Sequence, residues 1–144
     1  MYSRGVAAGA YLAAAVVLML VGGVAGCTGG DGTTLDGTGW RVVEWAESEI
    51  DPAAFELTAS FADGQIGGRS AVNSYGGEYT TTTAGGFAVG MISQTLMAGP
   101  EPDMRAEETF FRLLQSASTY ERDGDMLTLI DGEGLEALVL ERTE

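Results

Sequence analysis

A chain of 144 residues carries 21 acidic against 7 basic side chains, a net charge of −14 at pH 7, and no histidine. Every basic residue is arginine, and they are too few to neutralise a run of phosphates, so nucleic acid and anionic lipid headgroups are excluded as partners. The length suits one domain with a modest core.

At the N-terminus Arg4 precedes an uncharged run from Gly5 to Val24, which ends in Val24-Ala25-Gly26-Cys27. A cationic start, an apolar stretch, small residues and a cysteine in this order resemble a bacterial lipoprotein signal peptide with its lipobox. The resemblance implies that residues 1–26 are a signal peptide, cut between Gly26 and Cys27. It also implies a thioether-linked diacylglycerol with palmitate-type acyl chains on Cys27, and a domain held at the extracytoplasmic face of the cell membrane. The alternative is an uncleaved apolar helix, since the run is long enough to span a bilayer. Gly22, Gly23 and Gly26 weaken such a helix, and the sole cysteine sits where the lipobox needs it. Once lipidated, Cys27 leaves no thiol for a disulfide, so packing and hydrogen bonds must hold the domain.

Residues 27–37 then read as a flexible tether and 38–144 as the domain. Gly39–Trp45 mixes aromatic and β-branched residues and predicts a strand with Trp40, Val42 and Glu44 on one face. A loop through Asp51-Pro52 leads to a second strand, Phe55–Phe61, and Asp63-Gly64 predicts a type I′ hairpin into Gln65–Ser70. Gly67-Gly68, Gly76-Gly77 and Gly85-Gly86 follow at a nine-residue pitch. A calcium-binding nonapeptide roll needs Asp at the sixth position of each repeat; Val72, Thr81 and Gly90 stand there, so the roll is rejected. A meander that bends or turns at its glycines is the reading adopted, with strands at Tyr79–Thr83 and Phe87–Val89.

Pro100 to Asp103 opens a helix, with Asp103 as its cap. Ala106, Phe110, Leu113, Leu114 and Ala117 form its apolar face, and it ends within Ser116–Thr119. Three strands with two turns complete the chain: Tyr120–Asp123, Met126–Ile130 and Leu135–Arg142. Strands, one helix, then strands predict an α+β fold, a mainly antiparallel sheet curled towards a barrel and packed by one helix.

The missing residue types narrow the chemistry. A serine nucleophile needs a His or Lys base, and this chain has neither. With Cys27 in the anchor, thiol catalysis and transition-metal ligation lack their side chains, so no cofactor or metal is expected. Carboxylate pairs remain for glycoside hydrolysis: Glu107 with Glu108, or Asp123 with Asp125. The helical pair reads more simply as a solvated face, and Asp123-Gly124-Asp125 as a turn. Asp123, Asp125, Asp131 and Glu133 offer a loose site for a hard cation, without the spacing of an EF-hand. Asn73 and Tyr75 either shape their loop or help line a ligand site. Trp40 and Trp45 read as core and sheet-face residues.

Several short motifs now fall in a recognisable order. They are Leu35 to Trp40, Phe61 to Gly68, Ala71 to Tyr79, Thr95 to Pro100, Met104 to Leu114 and Met126 to Leu129. Together they resemble the META domain family, also called HslJ-like, over about residues 35–142. The family pattern has Gly-Cys-Asn where this chain has Ala71-Val72-Asn73, and Cys-Pro where it has Gly99-Pro100. The joint loss of both cysteines implies that Val72 and Gly99 lie close in space. The resemblance also implies a compact β-rich domain, common in bacterial lipoproteins and linked to stress resistance, motility and secretion, with no established catalytic residues.

The leading expectation is a non-catalytic, monomeric envelope lipoprotein that binds a protein partner or a small apolar ligand in stress tolerance or envelope maintenance. The others are an acidic interaction or inhibitor module that docks on a basic protein, and a carboxylate hydrolase. A ligand binder should have an apolar cavity between sheet and helix. An interaction module should have a filled core and an exposed patch around Met91, Met97 and Met104. A hydrolase needs two carboxylates facing each other in a cleft.

Overall fold

Alternation of apolar and polar residues organises the chain into strands, and in the computed structural model, which describes residues 34–143, they form one sheet. The strands are β1 (Thr38–Trp45), β2 (Thr58–Ala62), β3 (Gln65–Arg69), β4 (Ser74–Thr81), β5 (Phe87–Gln94), β6 (Ala117–Asp123), β7 (Met126–Asp131) and β8 (Glu136–Thr143). One helix, α1 (Glu101–Ser116), joins β5 to β6. The sheet order is β5-β4-β3-β2-β1-β8-β7-β6, with every neighbouring pair antiparallel. The sheet curls into a half-barrel whose outer strands touch at one end. There Gly86 pairs with Thr119, and the Tyr120 N–H donates to the Gly85 carbonyl at 2.9 Å. Towards the other end β5 and β6 diverge, and α1 packs against the sheet. The signal sequence, Cys27 and residues 28–33 lie outside the described residues.

Trp40, Val42, Leu57, Phe61, Ile66, Leu127, Leu129, Leu138 and Leu140 fill the concave face, and Phe110 and Leu114 close it from the helix side. At about 25 cal/mol per Å² of apolar surface, each large side chain buried here contributes on the order of 2 kcal/mol. The buried Trp40 indole N–H donates to Thr38 Oγ1, and that hydroxyl donates to the Leu35 carbonyl. Leu35 is itself buried, so the packed unit begins before residue 38, where the sequence placed the domain start.

The Asp63-Gly64 turn has φ of 53° and 75°, as a type I′ hairpin requires. Two other expectations are corrected at the strands. Glu44 does not share the buried face of Trp40 and Val42, because a β-bulge between Val42 and Glu44 shifts the register against β8 and turns Glu44 to solvent. Phe55 to Glu56 precedes β2 rather than opening it, because Pro52–Ala54 forms a 3-10 turn. The first two glycine pairs are not turns. Gly67 faces Gly76 and Ile66 faces Gly77 across the β3–β4 ladder. A Cβ on Gly68 would lie 2.4 Å from the Thr58 carbonyl oxygen, and one on Gly77 2.7 Å from that of Met91. Close backbone approach is what demands glycine there.

Asp103 is not the helix cap. The cap is Pro100, which offers no side-chain bond, and Asp103 lies in the first turn with Glu101, where acidic groups suit the helix dipole. The helix stops at Ser116, and Ala117 already belongs to β6.

Candidate functional site

The turn from Ser70 to Asn73 is the point where three distant parts of the chain are bonded together. Ser70 and Asn73 are buried, and so is Glu107 on α1, at 5% exposure. Glu107 Oε2 accepts from the Ser70 hydroxyl at 2.7 Å and from the Asn73 backbone N–H at 2.9 Å. Its Oε1 accepts from Asn73 Nδ2 at 2.8 Å. Nδ2 also donates to the Met97 carbonyl at 3.2 Å, while Oδ1 accepts from the Thr95 hydroxyl and the Met97 N–H, both at 2.8 Å. The Asn73 amide is thus fully used, and three donors offset the desolvation of the carboxylate.

Glu107 is therefore not part of a solvated face, as expected beside Glu108, which is exposed. The signal was present in the spacing. Glu107 lies three residues before Phe110 and seven before Leu114, on the apolar face of α1. Ala71, inside the turn, has φ of 78°, in the left-handed region that favours glycine.

Val72 and Gly99 meet beside this cluster. A Cβ built on Gly99 would lie 3.5 Å from Val72 Cβ and 2.8 Å from its Cγ2. The Cβ separation falls within the range of disulfide-bonded cysteines, and the valine methyls occupy the space that the missing glycine side chain leaves. Tyr75 is also committed to structure. Its hydroxyl donates to the Thr58 carbonyl at 2.7 Å, and its ring packs edge-on against Phe110 and Phe111, each 5.4 Å away. Burial pushes its phenol well above the usual tyrosine range. Asn73 and Tyr75 thus hold the loop and have no free polar group to offer a ligand.

The acidic loops are used locally. Asp131 Oδ1 accepts from the Glu133 and Leu135 N–H groups, and Asp123 and Asp125 flank the β6–β7 hairpin at Gly124. Among the described residues no three acidic groups come together as a metal site. Nor do Glu107 and Glu108 face each other, since one is buried and the other points outward. Among the described residues no helix is long and apolar enough to cross a membrane.

Side chains fill the space between α1 and the sheet, and the hollows that remain open at the surface. One of about 410 Å³ lies between Glu49–Phe55 and the start of α1. Another, about 580 Å³, is lined by Thr34, Thr81–Thr83, Gly85 and Tyr120–Arg122. A third, about 570 Å³, is a groove between Gln94 and α1, with Met104 and Phe111 among its apolar lining and Glu101 and Glu108 beside them. Apolar side chains are exposed on β5, on the segment after it and on α1: Met91 and Leu96 are each 90% exposed, Met97 54% and Met104 37%, the last lining this groove.

These features have a polarity along the barrel. Arg122 lies over the Trp40 ring, 5.3 Å from its centroid, and donates to the Thr34 carbonyl. That places the entry of the chain at the end where Thr81 pairs with Phe87. From there β5 runs away to Gln94, so Leu96 and Met97 lie at the opposite end.

Comparison with known proteins gives the fold and the family. The structure is similar to an NMR structure of a protein from Burkholderia xenovorans, with a TM-score of 0.62 and 20% identity over 76% of this chain and 83% of that one. It is also similar to the crystal structure of a DUF4847 family protein from Bacteroides vulgatus, with a TM-score of 0.53 and 13% identity over 74% and 93%. At these identities the likeness shows a shared fold. No curated protein matches the chain. The family model for the META domain matches residues 33–144, most of the sequence, and the chain belongs to the META domain family.

Proposed function

We propose that this protein is a lipid-anchored, non-catalytic envelope protein whose META domain docks a partner protein through its apolar end. The observation that carries the reading is the exposure of Leu96 and Met97 at the end away from the chain entry, with Met91 on β5 and Met104 on α1 also exposed, over a filled core. A bilayer anchor on Cys27 would hold the Thr34 end nearest the membrane and present this rim outward. Large exposed apolar groups on an otherwise strongly acidic protein fit an interaction surface. The carboxylates that a hydrolase would need are scattered or already bonded. Envelope maintenance or stress tolerance is the setting that the family resemblance suggests.

Two measurements test this. Cys27→Ser should abolish incorporation of a labelled fatty acid, and equal labelling would refute the anchor. A photo-reactive residue at Leu96, in cells, should give a discrete cross-linked product that the same residue at Asp125 does not. Adducts at both positions alike, or at neither, would remove the basis for docking at the rim.

A further inference from the structure

The two outer strands of the half-barrel differ in how their edges are protected. β6 carries Glu121, Arg122 and Asp123, charges of the kind that discourage another strand from pairing. β5 carries none, and the chain has no charged residue from Tyr79 to Pro100. Beyond the Gly86–Thr119 bridge, no backbone hydrogen bond among the described residues joins β5 to β6 or α1. The Thr95 N–H donates to the Ser74 carbonyl in the continuation of the β4–β5 ladder, where Gln94 pairs with Tyr75. Alternation along the strand therefore points the N–H groups of Gln94 and Ile92 away from β4, to the open edge. This bare edge borders the groove against α1.

We infer that the open edge of β5, from Ile92 to Gln94 beyond the bulge at Gly90-Met91, takes up an extended segment of another protein as an added antiparallel or parallel strand, and that this segment is rich in apolar and basic residues. The inference rests on the docking reading above and specifies its mode. The chemistry of the segment follows from the groove. Met104 and Phe111 offer apolar contact. Arg105 and Arg112 turn their guanidinium groups to Glu49 and Glu47, at 3.9 and 3.7 Å, while among the described residues Glu101 and Glu108 form no ion pair. The unbalanced charge beside the edge is thus negative, and lysine or arginine on the incoming strand complements it.

A second copy of the chain does not fit as the occupant. Antiparallel pairing of two β5 strands relates the copies by a two-fold axis perpendicular to the strands. Their Thr34 ends would then point in opposite directions. Each copy would also bring the same acidic groove and a β5 without a basic residue, so like charges would meet across the pair.

The test uses the full chain in detergent micelles and a short synthetic peptide that alternates valine and lysine. Two controls accompany it: a valine–glutamate peptide, and the valine–lysine peptide with alternate amides N-methylated, which cannot form a ladder. The valine–lysine peptide should bind at least about tenfold more tightly than either control, as expected for two or three backbone hydrogen bonds plus charge complementarity. On binding, the Ile92 and Gln94 amides should gain protection from hydrogen exchange. Gln94→Pro deletes the outward N–H and should weaken binding about tenfold, whereas Gln94→Ala, which keeps it, should change binding by less than about twofold. Equal binding of the N-methylated peptide, no added protection at Ile92 and Gln94, or unchanged binding by a folded Gln94→Pro would overturn strand addition. If Gln94→Pro does not fold, the exchange measurement on the unaltered chain decides. A Leu96 cross-link in cells that survives Gln94→Pro would leave docking at the rim standing and remove strand addition alone, while absence of any Leu96 adduct would remove the docking reading itself.

Discussion

The Ser70–Asn73–Glu107 cluster and the apolar rim share one stretch of backbone, yet they treat their chemical groups in opposite ways. Within the cluster each side-chain donor and acceptor of Asn73 has a partner, and the Glu107 carboxylate is held by three donors. At the rim Leu96 and Met97 leave apolar surface in water. The segment that carries them is not loose, because Asn73 grips Thr95 and Met97 on either side of Leu96. Buried polar bonds thus fix the backbone from which the exposed side chains project. A surface held this way loses little conformational entropy on docking.

Glu107→Ala should break the comparison most strongly. It leaves the Ser70 hydroxyl to rotate and two Asn73 donors without their acceptor, and the expected loss of stability is ~3 kcal/mol. A urea titration followed by tryptophan fluorescence measures it, and a shift below about 1 kcal/mol would show that water replaces the carboxylate at little cost. The 95–97 segment should loosen at the same time, which amide exchange at Met97 would report.

Next in size is a crosslink at the same crossing. Val72→Cys with Gly99→Cys should form a disulfide under oxidising conditions, since the Cβ positions are already in range. Closing a loop of roughly 27 residues is worth up to ~3 kcal/mol in the chain-entropy model. The oxidised variant should melt well above its reduced form, and equal melting temperatures would mean that native strain cancels the gain.

A smaller effect is expected within the turn. Ala71 holds a left-handed backbone conformation that glycine adopts without steric cost. Ala71→Gly should therefore stabilise the domain by ~1 kcal/mol, despite the added entropy of the unfolded chain. Loss of stability instead would show that the Ala71 methyl packs usefully.

Leu96→Ser should move stability least, within about 0.5 kcal/mol, because the side chain is already in water. The contrast with Glu107→Ala is the useful result. Substitution at the rim is expected to leave the melt unchanged and still remove partner cross-links formed from Met91, whereas the cluster variant unfolds the platform first. If Leu96→Ser destabilises as much as Ala71→Gly stabilises, then the rim is part of the core and not a docking surface.

Local sequence rules determined a good deal about this protein. Alternation located most of the strands, although β4 begins at Ser74 rather than Tyr79 and β5 runs past Val89 to Gln94; Asp63-Gly64 specified a type I′ turn, and the spacing of Ala106, Phe110, Leu113 and Leu114 defined the buried side of α1. The ordered motifs identified the META family, and its missing cysteines foretold the meeting of Val72 and Gly99. These features are legible because each depends on neighbours within a few residues, or on a pattern carried by the whole family. Tertiary structure alone decided the rest. Glu107 is buried because residues 34 and 37 positions away supply its donors, and the 95–97 segment is held by an asparagine more than twenty residues earlier. The β-bulge that turns Glu44 outward arises from register against β8, at the far end of the chain. Whether β5 would have a covered or an open edge depended on how far the sheet curled before β6 diverged from it. That curvature is summed over eight strands, and no short window of sequence contains it.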